Sequence, residues 1–512
     1  MGAVVDRGQG PSQHLDNDAR ELAELGYESR FSRAMSLWAN FSVGFTYLSP
    51  VVGIYALFAF AVATAGPPAV WSLVIAGAGQ FLVALVFAEV VAQYPIAGGV
   101  YPWARRLAGK RWAWLTGWVY AWALLITVAS VAYAAGPFAA FLLDTKATKE
   151  FVIGCALVLI AVGGAINLTG TKNLSWAARI GFTTEIIGAL VVGLYLILFE
   201  RHHDFGVFFD GFGAQGNGTY LGAFLAAALL GLYQYYGFEA CGDVAEEVPN
   251  PGRRIPKAMK MTIIVGGSAA ILVFVGYALA APNIGAVVAG KNADPIGGVL
   301  TNVFGSGGSK VVLSIVMVSF LSCVLALQAA ASRIIYSYGR DDMIAGSRFF
   351  GSFYERLHAP PGAVMTAIII PGLVIAGSAI STDALTKIIS FAVLGIYIAF
   401  QMVVLAALVA RLRGWRPRGK FTLGRWGLPV NVAALTYGVA ASVNVAWPRT
   451  PDVPWYDNWI VLLSTGVVVV LGLAYMALGR PWGRSTAPAG DAVRAVAPAP
   501  AAASSPHEAT TT

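Results

Sequence analysis

The sequence predicts an all-α integral membrane protein of twelve transmembrane helices, five plus five in an inverted repeat with two more appended at the C-terminal end. Three observations lead there. Apolar residues make up 57% of the 512 residues and charged ones only 12%, about half the share of an ordinary soluble domain, which leaves lipid as the main solvent. The basic residues concentrate in alternate loops. Two segments in corresponding positions are interrupted by Gly or Pro.

A helix satisfies its own backbone in hydrocarbon and needs about 20 residues to cross it. On that basis the spans fall near 37–63, 71–94, 113–142, 151–168, 176–199, 220–243, 260–281, 310–338, 362–379, 384–409, 427–446 and 459–478. They form one membrane domain over 35–480, with repeat one at about 37–199, repeat two at about 220–409 and the extra helices at about 427–478. Residues 1–34 read as a polar tail of mixed charge, with no apolar core and cleavage site of a signal peptide. Residues 485–512, nearly all Ala, Pro, Ser and Thr, are expected to be a disordered tail.

Positively charged short loops stay in the cytoplasm. With the N-terminus inside, only Lys146, Lys149, Arg201, Lys291, Lys310, Lys387 and Arg449 of the 34 Lys and Arg residues fall outside. Both termini are therefore expected in the cytoplasm and the chain in the inner (cytoplasmic) membrane, multi-pass. The formal charge of +8 is taken up by this loop bias, and no nucleic-acid partner is expected. Cys155, Cys241 and Cys323 lie in apolar runs and the five histidines in loops or tails, so no disulfide framework, metal or cofactor is expected.

Carrier proteins place their site where two helices of inverted halves are interrupted at mid-membrane. The first segment holds Tyr47-Leu-Ser-Pro-Val-Val-Gly-Ile54, in which Pro50 removes a helical hydrogen bond and Gly53 permits unusual backbone angles. The sixth holds Tyr236-Gly-Phe-Glu-Ala-Cys-Gly-Asp243. Kinks or close-packing points are the alternative for either alone. Freed half-helix N-termini offer N–H donors to a carboxylate. Ionisable residues within spans are costly and hence functional candidates. Glu239, inside the second break, is suited to a substrate ammonium group or a proton; a structural carboxylate is the alternative. Glu185 in segment five is a second coupling candidate, or an acid paired with Arg179 or another donor. Asp243 and Glu89 read as capping or ion-pairing acids. Tyr233, Tyr235, Tyr236 and Phe238 offer aromatic walls or a gate for an organic cation.

Glu89 through Trp103 reads Glu-x5-Pro-x2-Gly-Gly-x-Tyr-x-Trp, Gly237 through Ala258 continues Gly-Phe-Glu-Ala-Cys-Gly-Asp-Val-Ala-Glu-Glu-Val-Pro-Asn-Pro-Gly-Arg-Arg-Ile-Pro-Lys-Ala, and Ser332-Arg333 is followed by Gly339-Arg-Asp-Asp342. Together, over about residues 25–480, they resemble the amino acid-polyamine-organocation superfamily of permeases, looking closest to the branch that handles amino acids, gamma-aminobutyrate and choline. The resemblance implies a LeuT-like inverted repeat and secondary active transport. It implies a substrate held by Ser49, Pro50, Val51, Val52 and Gly53 in the first break and by Gly237, Phe238, Glu239, Ala240, Cys241 and Gly242, beside Tyr236, in the second. Pro50-Val51-Val52 departs from the small residues usual there. Several relatives carry a proton on a lysine in segment five; Glu185 lies at about that level. Glu246 and Glu247 form either an inner gate with nearby arginines or a solvated loop.

The expected function is import of an amino acid or related small amine by alternating access, with a proton as coupling ion and sodium as the alternative. An organic-cation (choline) or polyamine carrier or exchanger is the rival within transport. A membrane-embedded enzyme or a sensor without flux is the rival outside it, and no nucleophile elbow or phosphate loop supports an enzyme.

Overall fold

In the computed structural model, the described residues are 11–494 apart from 217, 293, 357, 379–383, 450 and 451. Among them helix is the only extended regular structure, beside one isolated antiparallel bridge between Tyr354 and Ala359. Hydrocarbon dictates this, since a lone helix leaves no lateral backbone group unpaired.

Helix α1 (Pro11–Glu24) precedes the first span, which is split into α2 (Leu37–Leu48) and α3 (Pro50–Ala65). α4 (Val70–Gln93) leads to a short basic helix, α5 (Val100–Ala108), then to α6 (Lys110–Ala134) and its continuation α7 (Gly136–Leu142). α8 (Lys149–Leu168) is followed by α9 (Thr171–Ile186), which runs through a π turn at Ile187–Val192 into α10 (Gly193–Phe199). The next span is α11 (Tyr220–Ala227) and α12 (Leu229–Gln234), with a single turn, α13 (Ala240–Asp243), beyond its break. α14 (Pro251–Met261) passes through a second π turn, Thr262–Gly266, into α15 (Gly267–Ala280). After α16 (Ile284–Val288), α17 (Pro295–Arg340) bends at Gly305, where φ is 65°. α18 (Ser347–Phe350), α19 (Pro361–Gly377), α20 (Ala384–Leu412), α21 (Gly427–Ala446), α22 (Trp455–Asn458), α23 (Ile460–Gly479) and α24 (Asp491–Arg494) complete the chain.

Ten helices among the described residues are long and apolar enough to cross a membrane. Two shorter apolar ones, Tyr220–Gln234 and Pro361–Gly377, occupy the expected sixth and ninth segments; the sixth is cut short where the chain leaves the helix after Gln234. The broken span packs inside, α2 against α9 and α17, α3 against α12 and α15. At the edge, α23 buries only Thr465 and Gly472 and turns Val467, Val470 and Leu471 outward, as a lipid-facing helix does. Exposed tryptophans cluster at helix ends: Trp38 on α2, Trp71 on α4, Trp426 and Trp447 flanking α21, and Trp459 before α23. Indole rings favour that depth of a bilayer.

The described parts of both tails lie on one face. Of the tail expected from Ser485 onward, 485–494 lie among the described residues and contact α5. There Arg105 Nε donates to Pro488 O at 3.0 Å, Gly490 N donates to Arg105 O at 2.9 Å, and Arg106 pairs with Asp491. Arginine side chains on α5 satisfy backbone that composition alone leaves to water; 495–512 lie outside the described residues.

Candidate functional site

The first span comes apart at one residue. Ser49 has φ 41° and ψ 92°, a region that L-residues with a side chain adopt at a cost. Pro50 to Gly53, expected to unwind, are instead the first turn of α3. Proline fixes a helical φ and lacks only an N–H that a first turn does not use, so it starts this half-helix rather than breaking one. Gly53 serves space: a Cβ there would sit 2.2 Å from Gln234 Oε1.

The second break spans Tyr235 to Glu239, upstream of the expected Gly237 to Gly242, because Ala240, Cys241 and Gly242 already belong to α13. Gly237 takes φ 118°, and a Cβ on it would stand 2.6 Å from Leu48 N and 2.9 Å from the Tyr47 ring. The two breaks therefore touch. Gln234 Nε2, at the end of α12, donates to Leu48 O at 3.0 Å and Ser49 O at 3.2 Å, and Asn40 Nδ2 on α2 donates to Cys241 O at 2.9 Å. Side chains of each broken span thus bind backbone carbonyls of the other.

Three buried acids surround this junction. Glu239 Oε2 accepts from Gly237 N at 2.7 Å, and its Oε1 lies 3.2 Å from the Tyr120 hydroxyl on α6. The same hydroxyl is 3.1 Å from Asp243 Oδ2. A hydroxyl has one proton to give, so both contacts are hydrogen bonds only when one of the two carboxyls carries a proton. Glu185, on α9, accepts from Ser49 Oγ and, at 3.2 Å, from Val51 N. Its Oε2 has no partner among the described residues. Arg179, offered by the sequence as its partner, bonds Ser175 O on its own helix instead. No Lys, Arg or His side chain among the described residues makes a hydrogen bond or ion pair with Glu185, Glu239 or Asp243.

The structure gathers Ser49, Val51 N–H, Tyr236, Gly237, Glu239 and Glu185 at the junction. Tyr236 meets Tyr47 edge-on, ring centres 6.1 Å apart. Other candidates point elsewhere: Phe238 packs on Phe87 and Phe400, Cys241 Sγ faces Asn40 O, and Gly242 makes room for Trp103. Tyr235 wedges against Gly77 and Gly267. Sequence reasoning missed Tyr120, Gln234 and Asn40. The two amides carried a readable signal, polar side chains within apolar spans, which commonly join helices; Tyr120 carried none.

Toward the tail face the acids are paired. Glu247 meets Arg333 at 2.9 Å with both side chains fully buried, and Glu246 meets Arg340 at 2.9 Å. The solvated-loop alternative for Glu246 and Glu247 fails on this burial. Arg105 pairs with Asp341, the neighbour of Arg340 in the chain. Glu89 is an ion-pairing acid, bound by Arg411 and by Leu423 N at 2.7 Å.

Long apolar helices, two of them broken where they meet around buried acids, define a multi-pass membrane protein built as a transporter. Residues 35–473 match the family model described as amino acid permease, and the chain belongs to that family. It is 26% identical over 506 residues to the amino-acid permease BAT1 of Arabidopsis thaliana, covering 91% of this chain and 96% of that one. A BAT1 homolog from rice is 27% identical, with 91% and 95% covered. An uncharacterized amino-acid permease of Schizosaccharomyces pombe is 26% identical, with 89% and 86% covered.

Proposed function

We propose that this protein imports an amino acid or a related small amine across the cytoplasmic membrane by alternating access, coupled to protons, with both tails in the cytoplasm and the two broken spans heading five-helix inverted repeats. The observation that carries the reading is the contact of the two breaks beside Glu239. A buried carboxylate with no bonded cation matches a substrate ammonium group, and the family's permeases supply the class of cargo. The Tyr120 hydroxyl set between Glu239 and Asp243 favours a proton over sodium, since that arrangement closes its hydrogen bonds by taking one up. The loop charge bias supports the orientation. In this reading the buried pairs Glu247–Arg333 and Glu246–Arg340 bar the cytoplasmic exit and part when one bundle rocks against the other.

A carrier of organic cations or polyamines is the second reading. One observation favours it: the first donors of α3 are engaged by Glu185, while acids and the Tyr47 and Tyr236 rings are at hand for an amine. Proteoliposomes tested with labelled amino acids, choline and putrescine, under imposed pH or sodium gradients, separate the two. Accumulation of an amino acid that follows an acid-outside gradient is the expected result; accumulation of choline or putrescine alone supports the rival, and none of any cargo under either gradient refutes transport.

A further inference from the structure

The start of α3 has no donor to spare. Pro50 has no N–H, Val51 N donates to Glu185 Oε1 at 3.2 Å, Val52 N donates to Ser49 Oγ at 3.1 Å, and Gly53 N donates to Ser49 O at 3.1 Å. The Ser49 hydroxyl proton also goes to Glu185. A helix N-terminus at a mid-membrane break is a place for an anion, and here a side chain of the protein fills it. Glu185 is fully buried, and its second oxygen has no partner among the described residues.

The groups that face Glu185 set how it can be neutralised. On α17, the Cys323 thiol is the titratable neighbour that interacts with it, while Lys310, Arg333 and Arg340 of that helix are paired with Asp144, Glu247 and Glu246. α2 offers the Tyr47 phenol, which lies by Glu239. α8 carries Lys149, Glu150 and Cys155 toward its far end, and none of them bonds to Glu185. A proton, rather than a cation of the protein, is therefore the available counter-charge.

We propose that Glu185 is an internal occupant of the carboxylate subsite: ionised, it holds Ser49 Oγ–H and Val51 N–H in place of the substrate, and a proton taken up on it releases both donors to the substrate carboxylate. The inference rests on the amino acid reading above and names the step that couples it. One carboxylate excludes another from the same donors, and a charged acceptor displaces a neutral acid because charge-assisted bonds are about twice as strong. The sign follows. Binding requires the protonated form, so affinity is full in acid and falls about tenfold for each pH unit above the point where Glu185 ionises, the slope set by one linked proton. An amine without a carboxylate escapes this dependence.

The test uses the purified full chain, with labelled L-alanine, L-lysine and 4-aminobutyrate as carboxylate probes and putrescine as the probe that lacks one. Binding is measured at about pH 5.5 and about pH 9.5, either side of a range that reaches about 8–9 for fully buried glutamates. Wild type is expected to bind at least one carboxylate probe more tightly in acid. Glu185→Gln, of the same shape and unable to ionise, should hold that probe at the wild-type acid level in acid and no longer weaken toward the alkaline value, since proton loss at Glu239 and Asp243 can only favour an ammonium group. Wild-type pH dependence in Glu185→Gln overturns the proposal, as does loss of binding at both values in a variant that still elutes as a single species. Acid–base infrared difference spectra of the ligand-free protein give an arm that needs no cargo. A carboxyl C=O band that rises on acidification in wild type and is missing in Glu185→Gln supports the protonation step; with that band present and no carboxylate probe bound, the amino acid reading has failed and the shared subsite is overturned with it. A band unchanged by the substitution overturns the proposal.

Discussion

Glu239 is held by groups that do not neutralise it. A backbone N–H at 2.7 Å and a phenol at 3.2 Å orient the carboxylate, each such bond to an ionised group contributing about 1.5–3 kcal/mol. Taking the carboxylate from water costs several kcal/mol unless a charge faces it, so the site leaves a deficit that an ammonium group or a proton makes good. Glu239→Gln keeps the shape and removes that deficit. Concentrative uptake in proteoliposomes should fall to the level of empty vesicles while expression and elution stay as in wild type; unchanged accumulation would remove Glu239 from the mechanism. Such acids are legible in a sequence because an ionisable residue stands out in an apolar run. Their partners are not. Tyr120 lies 119 residues from Glu239 and Gln234 lies 186 from Leu48, and nothing local to α6 or α12 announces where those side chains end.

Helix breaks obey subtler rules than the presence of Gly and Pro. Pro50 and Gly53 mark the first break correctly to within a turn, yet proline belongs to the helix it begins, and the strained residue is Ser49 beside it. Around Glu239 in the sixth span the sequence offers two glycines, and only Gly237 uses the freedom; Gly242 is helical and small because Trp103 presses on it. Ten of the spans were readable because hydropathy is a one-dimensional property of a membrane helix. Break positions depend on what lies across the junction. Gly237→Ala should therefore be severe. It combines a φ that alanine avoids with a Cβ 2.6 Å from Leu48 N, backbone that has little room to yield, and strain of that kind costs about 1–3 kcal/mol. Gly154→Ala, in the exposed face of α8 with nothing within 4 Å of the new methyl, should be neutral or slightly stabilising. Thermal unfolding in one detergent compares them: a lowered midpoint and lost uptake for the first, neither for the second. Equal midpoints would mean that the two breaks are not in contact.

At the scale of the whole molecule, charge pairs of very different burial lie on the tail-face side of the junction. Glu247–Arg333 is fully buried on both sides, whereas Arg106–Asp491, through which the C-terminal segment grips α5, leaves the Asp491 side chain 35% exposed. Removing one partner of a buried pair strands the other and costs about 3–5 kcal/mol. A partly exposed pair contributes about 0–1 kcal/mol. If these pairs hold the closed form, the two should differ in how far their loss opens it, and Cys241 is a native reporter. It is wholly buried, with Asn40 O 3.5 Å from its Sγ, in the same short stretch that leads into Glu246 and Glu247. In a chain with Cys155 and Cys323 replaced by alanine, a membrane-impermeant maleimide applied to the tail face should label Cys241 slowly. Glu247→Gln should speed labelling by roughly tenfold or more, because the stranded Arg333 favours any state that reaches water. Asp491→Asn should change it by less than about fivefold, the limit that a pair of 1 kcal/mol allows. Equal rates in all three chains, with binding retained, would show that the buried pair is a fixed strut and that the way to the tail face opens elsewhere.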